Sequence, residues 1–171
     1  MTYKRNLIRL ADLSISIFIL LISSPILLFI YLLLYYNYGS PLFFQERVGK
    51  DLKKFTLIKF RTMLKGTKDC PTHMVDYSRI TPIGNLIRKI KIDEIPQFLN
   101  VIKGDMSIVG PRPCLLTQKE LIKERKKLGI HKVIPGITGL AQIKGIDMSD
   151  PKLLAEVEFK MIKSLTIKKY F

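Results

Sequence analysis

The chain opens on a long apolar run. No charged side chain occurs over residues 13–45, and the core of the run, residues 13–36, is dominated by Leu and Ile. As straight helix that core spans roughly 36 Å, enough for a bilayer interior of about 30 Å. Ser23, Ser24 and Pro25 stand at its middle. Proline removes a backbone donor and crowds the preceding turn, which predicts a break at Ser24-Pro25. Each limb is then about 12 residues, too short to cross alone. Lys4, Arg5 and Arg9 precede the run and a basic region follows it. The positive-inside bias keeps both flanks on one side, favouring a re-entrant helix with Tyr31, Tyr35, Tyr36 and Tyr38 at the interface. An ordinary spanning helix is the alternative. A signal peptide fits poorly, because the run is long and no small-x-small site follows Tyr36.

After Gly39-Ser40-Pro41 the pattern changes. Leu42-Phe43-Phe44-Gln45-Glu46-Arg47-Val48 and Phe55-Thr56-Leu57-Ile58-Lys59-Phe60-Arg61 flank a Gly-containing turn, which predicts a hairpin with Lys59 and Arg61 on one face. Residues 64–78 are polar and read as loop. Thr81 with Pro82 starts a helix to about Lys89. A second helix is expected from Ile92 to Lys103, with Ile92, Ile95, Leu99 and Ile102 as its core face and Gly104 as its stop. The segment 104–113 reads as extended, its prolines bracketing Arg112. Thr117 and Glu120 make a capping box for a helix to about Lys127, with a solvated or lipid-facing basic side. Pro135-Gly136-Ile137-Thr138-Gly139 is expected as a tight loop, and residues 152–164 as an amphipathic helix suited to the membrane interface. The whole is an α/β (α+β) arrangement, with a membrane helix over 1–38 and a mixed domain over 39–171.

Of the 171 residues, 29 are Lys or Arg and 14 Asp or Glu, a formal charge of +15. Such a surplus calls for a polyanionic partner: nucleic acid, an anionic membrane or a phosphorylated substrate. With only two cysteines, Cys70 and Cys114, no disulfide framework is expected. Cys70, His73 and His131 are too few for a zinc site. Neither a GxxxxGK[ST] loop nor a strand-linked GxGxxG occurs.

Asp93 and Glu94 occupy the expected first turn of the second helix. Adjacent helical residues diverge by about 100°, so they do not form a shared-proton pair by default. Simple helix capping is the plain alternative. The two acids stand between Arg88, Lys89 and Lys91 on one side and Arg112 on the other, and a rigidly held arginine suits phosphate.

These segments, taken in order, resemble the bacterial sugar transferases, the monotopic phosphoglycosyl transferases. The resemblance runs from Ser24-Pro25 through Gln45-Glu46-Arg47-Val48-Gly49, Lys59-Phe60-Arg61-Thr62-Met63, Asp93-Glu94-Ile95-Pro96-Gln97 and Val109-Gly110-Pro111-Arg112-Pro113 to Pro135-Gly136-Ile137-Thr138-Gly139-Leu140-Ala141-Gln142. It implies a re-entrant helix in the cytoplasmic leaflet of the inner membrane, and transfer of a sugar 1-phosphate from a UDP-sugar to polyprenol phosphate. The donor sugar it suggests is an N-acetylated amino sugar. Asp93 matches the family nucleophile, for which the resemblance implies a phosphosugar-aspartate intermediate, while Glu94 matches the second acid. Both are expected to hold Mg²⁺. Lys59, Arg61, Arg88, Pro111, Arg112, Pro113, Gly136, Thr138 and Gln142 are expected to bind substrate. The resemblance involves no nucleic acid and is compatible with a homodimer. Where the family commonly has an arginine after Asn-Gly, this chain has Ile146 after Lys144-Gly145. The competing reading is a membrane-tethered basic binding or scaffold protein without catalysis.

Overall fold

The computed structural model describes residues 2–67, 76–166 and 170, residues 2–5 as backbone alone. Cys70, His73 and most of the expected 64–78 loop lie outside the described residues.

One helix, α1, runs Thr2–Tyr38 with Pro25 inside it. The break expected at Ser24-Pro25 is therefore not an interruption of the helix. Pro25 cannot donate to the Leu21 carbonyl, but the Ser24 hydroxyl does so at 2.8 Å, and Ser23 Oγ bonds the Ile19 carbonyl at 2.6 Å. The Ser24 hydroxyl thus satisfies the carbonyl that proline frees. Both ends of α1 dock on the rest of the chain. Near its start Arg9 donates to the Val101 and Ile102 carbonyls at 2.6 and 2.9 Å, and Asp12 accepts from Ser107 Oγ at 2.8 Å. Near its end Ile30 and Leu34 pack with Phe60 and Ile87. Between them, every side chain over 17–29 is exposed or half-buried, including Phe18, Leu21, Ile22 and Phe29.

Strands β1 (Leu42–Val48) and β2 (Lys54–Phe60) form the expected antiparallel hairpin, with Leu42 opposite Phe60 and Val48 opposite Lys54. Helix α2 (Pro82–Lys89) starts as expected, with Thr81 Oγ1 accepting from Gly84 N at 3.0 Å. The single helix anticipated from Ile92 to Lys103 is two pieces: a 3₁₀ segment, Ile92–Gln97, and α3, Phe98–Lys103. Its inward face also differs from expectation. Asp93, Pro96, Gln97, Asn100 and Val101 are buried, whereas Leu99 is exposed and Ile92, Ile95 and Ile102 are half-buried. The 3₁₀ turn, with fewer residues per turn, rotates the face that an α-helical count assigns.

Strands β3 (Ser107–Val109) and β4 (Gly136–Thr138) pair in parallel. The segment read as a tight loop at 135–139 is thus partly a strand, because its partner is remote in sequence. Between them lies α4 (Lys119–Lys127), capped without a side-chain bond at Gln118, so Thr117 does not provide the expected cap. Helices α5 (Leu140–Ile143) and α6 (Pro151–Ser164) follow, the latter capped by Asp150, which accepts from Leu153 N at 3.0 Å. The apolar face of α6, expected at the membrane, packs inward through Leu154, Val157 and Met161. Leu153 of α6 stays exposed, and exposed apolar side chains also occur on α2, α3 and α5, at Leu86, Leu99 and Ile143, with Ile90 just beyond α2.

Asn100 joins hairpin to helix. Fully buried, it accepts from Ile58 N at 3.0 Å and donates to the Thr56 carbonyl at 2.7 Å. Asn100→Leu keeps the branched heavy-atom skeleton but orphans both backbone groups. We expect it to cost about 3 kcal/mol, read as a lower denaturant midpoint at unchanged slope.

Candidate active site

The 3₁₀ segment sets the two acids apart. It is preceded by Lys91 in a left-handed conformation (φ 60°) and lacks a side-chain cap. Asp93 turns inward and is 7% exposed, and its Oδ1 is buried with no hydrogen-bond partner. Burial, and then the neighbouring Glu94, push its carboxyl above the usual range, while Lys59, Arg88 and Lys91 pull the other way. Desolvation is the largest of these effects and outweighs the pull of the three cations. Glu94 behaves oppositely. Burial alone would raise it, but the charge and hydrogen bond of Arg112, at 2.9 Å, outweigh burial and hold it below the usual range.

Lys59 reaches the same place from β2. Its ammonium is pushed down to about 8, by burial first and then by Arg47, with Asp93 opposing and Arg112 and Arg88 adding to the depression. Arg88 comes from the end of α2, and its Nη1 is buried without a partner. Arg47, Lys59, Glu94, Gln97, Arg112, Pro113 and Gly136 line one cleft. On the other side of Arg112 a broader cleft is lined by Lys91, Gln142, Ile146, Asp147 and Met148. The fold therefore assembles a cationic rim around one unpaired carboxylate, from β2, α2, the 3₁₀ segment and the loop after β3.

The remaining residues singled out from the sequence lie elsewhere. Arg61 shares the Phe43 ring with Lys59, at 5.5 and 5.2 Å, but its guanidinium is tied to the Ser40 and Leu42 carbonyls at 3.1 Å. Pro111 lines a separate hollow with Cys114 and Arg125. Thr138 lies opposite Val109, and its carbonyl accepts from Gly110 N at 2.9 Å. Arg47 and Gln97 join the cleft without having been singled out. Arg47 lies two residues from Gln45, whose Oε1 it bonds, and period-two spacing is the signal that could have found it. Arg125, expected on a solvated face, is instead 7% exposed and paired with Glu158.

Two predictions test this geometry. A Cβ on Gly136 would stand 2.0 Å from Gly110 N and 2.5 Å from its Cα. Backbone cannot yield as a flexible side chain can, so Gly136→Ala should cost about 3 kcal/mol or more in thermal unfolding. For Lys59 the folded value lies below the unfolded one. The cost of its charge is fully present below about pH 8 and fades as pH rises towards 10.5. Lys59→Met should accordingly be more stable than wild type at pH 7, by up to about 3 kcal/mol, with the advantage vanishing near pH 10.5.

Carboxylates are hard donors suited to Mg²⁺, which is commonly bound by one or two of them together with substrate phosphates. The unpartnered Asp93 Oδ1 beside Glu94 fits that use. Among the described residues no group of three or more His, Cys, Asp or Glu gathers for a metal.

A family model described as bacterial sugar transferase matches residues 3–169. An uncharacterized sugar transferase of Bacillus subtilis, EpsL, is 49% identical over 138 residues, covering 80% of this chain and 68% of that protein. The UDP-glucose:undecaprenyl-phosphate glucose-1-phosphate transferase of Escherichia coli is 40% identical over 147 residues, 83% of this chain and 32% of that protein. A UDP-N-acetylgalactosamine-undecaprenyl-phosphate N-acetylgalactosaminephosphotransferase of Aeromonas hydrophila is 37% identical over 136 residues, 75% of this chain and 32% of that protein. The chain spans about a third of the length of the last two.

Proposed function

This chain belongs to the bacterial sugar transferases, and on that premise we propose that it moves a sugar 1-phosphate from a UDP-sugar to undecaprenyl phosphate, releasing UMP. The observation that carries the reading is Asp93. A carboxylate serving only as a helix cap is exposed and stabilised as an anion, whereas Asp93 is buried, raised and lacks a partner at Oδ1. A fold holds such a group at a cost where chemistry needs it. A basic binding or scaffold module leaves that cost unexplained.

In the proposed reaction an Asp93 oxygen attacks the sugar-side phosphorus. The new O–P bond makes a phosphosugar-aspartate acyl phosphate, a mixed anhydride. The bond that breaks joins that phosphorus to the bridging oxygen, which leaves with its electron pair on UMP. A phosphate oxygen of the lipid then attacks the same phosphorus and frees Asp93. Lys59, Arg88 and Arg112 offset anion–anion repulsion along this path. Glu94, held by Arg112, keeps that arginine oriented. Mg²⁺ held by Asp93 and Glu94 would neutralise charge on the phosphate oxygens.

The membrane arrangement is proposed as re-entrant, at the cytoplasmic face of the inner membrane. Docking of Arg9, Asp12, Ile30 and Leu34 on one body, with no buried side chain over 17–29, supports both ends lying on the same side. Leu86, Ile90 and Leu99 add apolar surface for the interface. Cysteines placed at position 2 and in the domain should label from one side of sealed vesicles, and labelling from opposite sides rejects the topology.

The chemical test incubates the solubilised protein with Mg²⁺, undecaprenyl phosphate and a panel of UDP-hexoses and N-acetylated UDP-amino sugars. UMP release with at least one donor is expected, with a phosphosugar adduct on Asp93 when the lipid is omitted. No release with any donor overturns the reading.

A further inference from the structure

Three consecutive carbonyls of the loop after β3 each accept a hydrogen bond from a different element. Gly136 N in β4 donates to the Pro111 carbonyl at 2.9 Å, Arg125 Nη2 in α4 to the Arg112 carbonyl at 2.8 Å, and Arg47 Nη1 in β1 to the Pro113 carbonyl at 3.1 Å. Proline on each side of Arg112 restricts φ. The middle anchor is the unusual one. Arg125 does not line either cleft beside Arg112 and reaches it only through the main chain. The rest of its fork is taken by Glu158, with Nε to Oε2 at 2.8 Å and Nη2 to Oε1 at 2.6 Å. Glu158 is 1% exposed. A buried ion pair often stabilises no better than apolar residues of similar volume, and orientation is the role left to it.

We propose that Arg125, fixed by Glu158, is a positioning residue for Arg112: it sets the main chain from which that guanidinium meets Glu94 at 2.9 Å and faces the donor phosphates. The inference rests on the proposed function. Arg112 can adopt many rotamers, so its aim depends on where its own backbone is held. A shift of about 1 Å at such a group can cost on the order of 10²-fold in rate.

The experiment is a double-mutant cycle on the full chain, measured as UMP release. Paired replacement of Arg125→Met with Glu158→Met removes the tether without leaving a buried charge. We expect unfolding near the wild-type temperature, kcat lower by about 10- to 100-fold, and KM for the UDP-sugar within about threefold. In an Arg112→Ala background the same replacement should lower kcat by less than about twofold, because its target is already gone. A folded paired variant with wild-type kcat overturns the proposal, as does a loss that multiplies fully with Arg112→Ala. Should the paired variant fail to fold, Glu158→Gln runs the same cycle. Absence of UMP release by the wild type would instead reject the functional reading. The cycle is then read from UDP affinity by calorimetry, where weakening confined to the Arg112-containing background supports the tether and equal weakening in both overturns it.

Discussion

Asp93→Asn is expected to lower UMP release by on the order of 10⁴-fold or more while yielding a protein that unfolds at a higher temperature than wild type at pH 7. The amide keeps the shape but cannot form the acyl phosphate. The stability effect follows from the raised carboxyl. The folded value lies above the unfolded one, so ionised Asp93 costs stability at pH values above both. As pH falls through the folded value towards the unfolded one the cost fades, because folded and unfolded chains then bind the same proton. Unfolding temperatures of the two proteins should therefore converge near pH 4 and separate towards neutrality. A variant that is inactive and also less stable at pH 7 would mark Asp93 as a structural acid.

Arg112→Met is expected to lower turnover by about 10²- to 10³-fold and stability at pH 7 by about 2 kcal/mol, a value reduced because the pair is partly solvated. Glu94 is depressed in the wild type because Arg112 outweighs burial. Its contribution is present above the unfolded carboxylate value and lost as pH falls through the folded one. Without Arg112 only Lys91 and Lys59 still oppose burial at Glu94, so its carboxyl should rise. Wild-type stability from this group increases with pH across the carboxylate range, and that of Arg112→Met should increase less. Thermal unfolding between pH 3 and 7 separates the two slopes. Parallel slopes would show that Arg112 does not govern Glu94.

Much of this was legible from local pattern. The apolar run, the β1–β2 hairpin, the Thr81 cap and the Gly104 stop each depend on residues a few positions apart. The acids and their basic neighbours were visible in the same way. The errors came where distant chain intervenes. A 3₁₀ turn rotated 92–103 so that Asn100, not Leu99, faces inward. The loop at 135–139 gained a strand from its remote partner β3, and Arg125 left its basic face to pair with Glu158.

The amino-acid order alone determined which segments are apolar, where α2 starts and α3 stops, and which charged groups are available, because these follow from side-chain chemistry and near-neighbour spacing. Only the tertiary structure decided that Asp93 is buried without a partner at Oδ1 while adjacent Glu94 is paired. Desolvation and salt-bridge geometry depend on β2, α2 and the Arg112 loop meeting in space, and no local spacing encodes that meeting.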